Sequence, residues 1–163
     1  MNIRKALPSD ISSIAKIYEE AKKFMRETGN PDQWVVGGPD ENSAREDVSN
    51  GVLYVVTEDD TVIATFMYLD GPDKTYEKIY DGAWLDEEPY HVIHRVALSS
   101  SAHGKGVGAF IFNYCFALTP NLKIDTHRDN IPMQNSLARA GFVRCGIIYL
   151  ENGDERIAFQ KNA

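Results

Sequence analysis

Cysteine is almost missing from this 163-residue chain: its two residues, Cys115 and Cys145, stand in apolar runs, and neither has further metal-binding side chains at ligand spacing. That pattern excludes a disulfide framework and a cysteine metal site, and both thiols read as small core residues. Long hydrophobic runs are missing too. No stretch approaches the ~20 apolar residues of a membrane-spanning helix, and the polar, charged first residues do not resemble a secretion signal, so a cytoplasmic protein with no membrane partner is expected. Positive charge is in deficit: 17 Lys and Arg stand against 24 Asp and Glu, a formal net charge of −7. A chain of that sign has little field with which to hold a nucleic-acid backbone, and it suits a cationic or neutral small partner. Internal repeats and low-complexity segments are also absent. The length fits one domain, taken as residues 1–163.

What is present begins with His103-Gly104-Lys105-Gly106-Val107-Gly108, set between a strand-like run, Val92 to Leu98, and a helix-like run, Val107 to Leu118. Glycines let the backbone turn tightly and approach a ligand, and the following helix offers unpaired N–H groups and its positive dipole end to an anion. Two familiar phosphate motifs fail here. A P-loop needs Lys-Ser or Lys-Thr straight after its last glycine, whereas Ala109-Phe110 follow Gly108. A dinucleotide-binding strand should open the fold, yet some 90 residues precede this turn.

A second segment, Asn130 to Phe142, reads as a helix in its own right. Asn130 is a good N-cap, Pro132 suits the first turn, Met133, Leu137 and Ala140 share a face, and Gly141 supplies the left-handed residue that ends a helix. The pair of segments, in this order and separation, resembles the GNAT superfamily of N-acetyltransferases. In that family an Arg/Gln-x-x-Gly-x-Gly/Ala turn binds acyl-CoA, and a downstream helix opens on Asn and closes on Gly-Phe. His103 stands where the family usually has Arg or Gln.

Periodicity places a strand at 2–6 and a helix capped by Ser9 carrying Ile11, Ile14, Tyr18, Ala21 and Met25 on one face. A breaker-rich stretch over 26–42 holds Trp34 and Gly37-Gly38-Pro39, and a short helix follows near 43–50. Strands at 52–58 and 61–69 join at Asp59-Asp60; after the glycine turn and its helix come a strand at 122–126 and a hairpin of 143–150 with 156–160. The connection 70–91 is long, with Tyr76, Tyr80, Trp84 and Tyr90 among carboxylates from Asp70 to Glu88, and reads either as a functional lid or as a surface loop packed on its own aromatics. The fold class implied by the resemblance is α/β (α+β): a mixed, mostly antiparallel sheet splayed between its two central parallel strands and flanked by helices.

The resemblance also implies a site. Backbone groups of Val96, Ala97 and Leu98 would hold the pantetheine arm of acetyl-CoA. The N–H groups of His103, Gly104, Lys105, Gly106, Val107, Gly108 and Ala109 would hold its pyrophosphate, with Asn130 on the opposite strand end. Acetyl-CoA is the implied co-substrate, with no metal. The acceptor would be a primary amine of a small molecule or peptide, and a homodimer is compatible. The alternative is a CoA-binding regulatory or partner-binding module without turnover, and a third reading is a nucleotide-binding protein. Attack on a thioester needs a neutral amine and a stabilised oxyanion. Leu98 is the expected oxyanion donor, His94 the expected base because its ordinary pKa suits neutrality and strand alternation puts it with Val96 and Leu98, and His127 the runner-up. Many family members carry a tyrosine acid four residues before Gly-Phe, where this chain has Leu137; Tyr149 and Tyr114 are the replacements considered. The acidic loop, with Trp34, Tyr76 and Trp84, suggests a pocket preferring amines to acidic acceptors.

Overall fold

Alternating apolar residues and tight turns build one seven-stranded sheet. The computed structural model describes residues 1–34 and 38–163, so Gly37 of the expected breaker stretch lies outside the described residues. The strands are β1 (Asn2–Lys5), β2 (Leu53–Glu58), β3 (Thr61–Asp70), β4 (His91–Leu98), β5 (Asn121–Thr126), β6 (Val143–Tyr149) and β7 (Glu155–Asn162). They lie in the order β1-β2-β3-β4-β5-β7-β6, with every neighbouring pair antiparallel except β4 and β5. The helices are α1 (Ile11–Glu27), α2 (Glu41–Ser49), α3 (Val107–Leu118) and α4 (Ile131–Arg139). None of the described helices is long and apolar enough to cross a membrane.

Strand alternation splits the core between the two faces of the sheet. Leu53, Val55 and Ala97 pack with Ile14, Ile17, Tyr18 and Ala21 of α1 and Ala44 of α2. Val56, Phe66, Ile93 and Ile124 pack on the other face with Ile111, Phe112 and Cys115 of α3 and Leu137 of α4. The cap expected at Ser9 is not formed. Pro8–Asp10 make one 3₁₀ turn, and the Asp10 carboxylate takes the polar role, accepting the Leu7 N–H at 2.7 Å and the Arg4 guanidinium at 2.7 and 3.0 Å.

The long connection between β3 and β4 is a strap packed on the sheet. Tyr76 is buried in a cluster with Val92, Ile148 and Ala158, and the Trp84 indole donates to the Tyr76 carbonyl at 2.9 Å. Tyr80 and Ile147 exchange two backbone hydrogen bonds of 2.8 Å, and the Ala83 N–H donates to the Cys145 carbonyl at 3.0 Å. A Cβ on Gly82 would stand 1.8 Å from that carbonyl oxygen, so glycine is what lets the strap lie against β6. Farther along, Asp86 accepts from Asn121, Gln160 and Asn162, which fastens the strap to the ends of β5 and β7.

Two features open the sheet where a ligand could enter. The parallel pair β4 and β5 is joined only at His91↔Leu122 and Val92↔Lys123, after which the strands part. On the other side of β4 the register to β3 slips: Thr65 faces Ala97 while Met67 faces His94, so β4 carries one extra residue there. Arg95 absorbs the slip with a left-handed φ of +52°.

Candidate active site

The bulge at Arg95 changes which side chains share a face. Beyond it, Val96 and Leu98 pack toward the α3 side of the sheet, while His94 lies beside Tyr76 of the strap, opposite Met67. The expectation that His94 shares a face with Val96 and Leu98 is thus corrected, because uninterrupted alternation does not survive an inserted residue.

Two cavities meet at this point. One, of about 510 Å³, is bordered by Val96, Ala97 and Leu98 on β4, by His103, Gly104 and Gly106 on the turn, by Val107, Gly108 and Ala109 on α3, and by Ser136 and Arg139 on α4. The other, of about 410 Å³, is bordered by Trp34, His94, Arg95, Asp125, Thr126 and Arg156. Met25, Val96, Asn130 and Met133 border both.

The first cavity suits a phosphate-bearing ligand. Gly104 and Gly106 have φ of +79° and +73°, a conformation costly for other residues, and a Cβ on either would project into open space rather than into protein. Room is therefore left where the backbone N–H groups at the start of α3 stand. Gly108 differs: its Cβ would stand 3.0 Å from the Ser136 hydroxyl, so this glycine lets α3 and α4 approach. His103 borders the cavity stacked on Phe24, with ring centroids 4.1 Å apart, and burial pushes its pKa down, which keeps the imidazole neutral. Lys105 does not border the cavity; it is half-exposed and lies 3.7 Å from Glu58. Arg139, which sequence reasoning missed, does border it and brings positive charge to this cavity of an acidic protein.

His94 is gripped by acids in the second cavity. Its Nε2 lies 2.9 Å from Asp73 Oδ2 and its Nδ1 lies 3.9 Å from Asp125 Oδ2. Burial lowers the His94 pKa, but the Asp73 hydrogen bond and the charges of Asp125 and Asp73 outweigh it, leaving a net rise. Burial likewise raises Asp73, while bonds from His94 and from the Thr75 N–H and hydroxyl bring it down to about 2. Asp73 is thus an ionised acceptor, which sets Nε2 of His94 as the protonated nitrogen and leaves Nδ1 to receive a proton. Tyr76 donates its hydroxyl to Asp125 Oδ2 at 2.6 Å, completing the chain Tyr76, Asp125, His94, Asp73.

The remaining expected residues are placed elsewhere or differently. Leu98 borders only the glycine cavity, two residues past the junction at Val96. His127 borders neither cavity; its Nδ1 accepts the Asp129 N–H at 3.0 Å and burial lowers its pKa, which describes a structural imidazole. Leu137 is fully buried in the core, and neither Tyr114 nor Tyr149 borders a cavity. Of the strap carboxylates expected around an acceptor, only Asp73 reaches the site, through His94; Tyr76 and Trp84 pack inside the strap, where Lys123 lies 4.0 Å from the Trp84 ring centre. Asn130 makes the expected helix cap, its Oδ1 accepting the Met133 N–H at 3.1 Å at the start of α4.

Known proteins share this fold. Residues 14–142 match the model of the acetyltransferase (GNAT) family. A crystal structure of a GNAT-family acetyltransferase from Streptococcus agalactiae 2603 is similar with a TM-score of 0.91 and 32% identity over 99% of this chain and 95% of that one. A GNAT-family acetyltransferase from Listeria monocytogenes 4b F2365 gives 0.74 at 19% identity, covering 99% of this chain and 94% of that one. A ribosomal-protein-alanine N-acetyltransferase from Brucella melitensis gives 0.70 at 16% identity, with each chain covered over 100%. The last two likenesses speak for the fold alone. Among curated proteins, none matches the chain.

Proposed function

The chain belongs to the GNAT acetyltransferase family, and on that premise we propose that it moves an acetyl group from acetyl-CoA to a primary amine held in the His94 cavity. The observation that carries this reading is the junction: a cavity lined by a glycine turn and a cavity lined by a carboxylate-held histidine share Val96, Asn130, Met133 and Met25.

The residues present fit the co-substrate. The turn from His103 to Gly106 and the first N–H groups of α3, from Val107 to Ala109, would hold its phosphates, assisted by Arg139. The β4 backbone from Val96 to Leu98, left without a β5 partner, would hold the pantetheine arm. When bound, acetyl-CoA supplies an acetyl carbon activated as a thioester.

His94 prepares the acceptor. Nδ1 removes a proton from the ammonium, directly or through one water, so that the amine has a lone pair for attack. Asp73 holds the ring in the required tautomer and stabilises the imidazolium that forms, and the Asp125 carboxyl lies 3.9 Å from Nδ1. The oxyanion donor is a β4 backbone N–H at Val96, where the cavities meet, in place of Leu98. Among the described residues, those shared by the two cavities, Met25, Val96, Asn130 and Met133, include no acid to protonate the departing thiolate, which is a tolerable leaving group without one.

The competing reading, a CoA-binding module without turnover, is favoured by one feature, the buried Leu137 where a tyrosine acid is usual in the family. Titration calorimetry with acetyl-CoA, ATP and NAD, followed by a thiol-release assay over amines, polyamines, amino acids and peptides, separates the two. Acetyl-CoA binding with thiol release supports the transferase; acetyl-CoA binding with no release from any amine supports the module.

A further inference from the structure

Arg156 is the charge in the second cavity that no opposite charge among the described residues answers. It stands on β7, is only 5% exposed, and borders the cavity. Its guanidinium donates to two neutral carbonyls, Glu155 at 2.9 Å and Gln33 at 3.1 Å. The adjacent Glu155 carboxylate is turned to Arg128 at 3.8 Å, and no ion pair includes Arg156 among the described residues. The three residues outside that description are Val35, Val36 and Gly37, which carry no carboxylate. Asp154 at the cavity rim is exposed and accepts from Asn152. The cavity's other arginine, Arg95, is committed to Asp47 at 2.6 Å. A guanidinium withdrawn from water is costly unless a charge or full hydrogen bonding compensates it, and two of its five N–H donors are used here.

The sheet register puts this cation next to the proposed amine site. Asp125 on β5 faces Ala158 on β7, and Arg156 lies two residues from Ala158 on the same face. Diagonal neighbours of this kind stand about 7–8 Å apart. A long side chain can cross that spacing, yet the Arg156 guanidinium is held on the Glu155 and Gln33 carbonyls and forms no ion pair with Asp125. The arrangement suits one small molecule that places an ammonium by Asp125 and His94 and a carboxylate on Arg156.

We propose that Arg156 is the specificity-determining residue for the acceptor, and that the acceptor is a small amine carrying its own carboxylate, of the α-amino-acid type. The planar guanidinium fork binds a carboxylate by paired N–H bonds, and ligand binding supplies the counter-charge that the fold withholds. An acceptor lacking the carboxylate leaves that buried cation unanswered, so discrimination falls on both affinity and rate. The inference rests on the acetyltransferase reading, and it modifies the expectation of a pocket preferring amines to acidic acceptors: the ligand is zwitterionic.

The test compares α-amino acids with their own α-amides and with the corresponding decarboxylated amines, each assayed by acetyl-CoA-dependent thiol release. In the wild type at least one amino acid should exceed both its amide and its amine by about tenfold or more in kcat/KM, as expected for loss of a charged hydrogen-bonded pair. In Arg156→Gln the acid-to-amide ratio should fall toward one, and Arg156→Lys, which keeps charge but not the fork, should lie between. Melting curves report whether each variant is folded, and the wild-type comparison needs no variant. Equal turnover of acids and amides by the wild type, or an unchanged ratio in folded Arg156→Gln, overturns the inference and leaves the transferase reading intact. Acetyl-CoA binding with no thiol release from any amine overturns both.

Discussion

Asn130 Nδ2 donates to Gln33 Oε1 at 2.9 Å, which ties the N-terminus of α4 to the loop after α1. Gln33 Oε1 also accepts from Asn30 of the same loop, and the Gln33 carbonyl accepts from Arg156, so one residue joins the α4 and β7 walls of the second cavity. Asn130 meanwhile caps α4 and borders both cavities. Asn130→Ala should therefore cost about 1 kcal/mol in capping, a fall in Tm of about 2–4 °C for a chain of this size. It should also raise KM for both acetyl-CoA and the amine. A variant with the lower Tm and both KM values unchanged would reduce Asn130 to a cap.

Gly106 should separate binding from stability. Gly106→Val forces a β-branched residue into a left-handed conformation at a cost of roughly 1–2 kcal/mol, while its side chain fills the space left over the turn. Acetyl-CoA affinity should drop about tenfold to a hundredfold, because the backbone N–H groups can no longer reach the phosphates for charge-assisted hydrogen bonds. Calorimetry on the folded variant decides; an unchanged Kd removes the turn from the binding site.

Arg139 should contribute to the same site through charge alone. Arg139→Ala is expected to raise the acetyl-CoA Kd by several-fold, with the effect shrinking as salt rises because an exposed ion contact is screened over about 10 Å at 0.1 M. A salt-independent effect would contradict the assignment.

The Asp73 and His94 pair should write a signature into stability against pH. The His94 pKa is raised above the ordinary 6.5, so its contribution is fully present below 6.5 and fades as pH rises through the raised value. The Asp73 pKa is lowered from 3.8 to about 2, so its contribution is present above 3.8 and fades as pH falls toward 2. Both describe one interaction, whose full window lies between these limits. The Tm deficit of Asp73→Asn relative to wild type should be largest from pH 4 to 6.5, set by those same two values, and smaller at higher pH. A deficit that does not shrink as pH rises above 6.5 would mean that Asp73 serves only the turn it makes with Thr75.

Local chemistry made much of the fold legible. The glycine turn, the Asn130 cap, the Gly141 terminator with φ of +89° and the cysteines buried in the core all follow from residues close together in the chain. The bulge did not, because a left-handed Arg95 breaks the local rule and is held from a distance by Asp47, 48 positions earlier. That single residue reversed the face assigned to His94. Asp73 lies 21 positions from His94, and its role depends on how the strap folds back, which composition does not reveal. Arg156 left a faint mark: Arg156 and Gln160 flank the apolar residues Ile157, Ala158 and Phe159 and are buried with them, which is the pattern of a buried face kept polar for a reason.

The proposed role of His94, held by Asp73, is to take the proton from the acceptor at the junction of the two cavities. The most direct measurement is kcat/KM for the amine against pH in wild type and His94→Gln, with acetyl-CoA affinity measured alongside. The wild type should show an ascending limb at a pKa above 6.5, in keeping with the raised value of His94. His94→Gln should lose that limb and about 10²–10⁴-fold in kcat/KM while binding acetyl-CoA as before. A folded variant that keeps both the limb and the rate would contradict the claim and return proton removal to solvent.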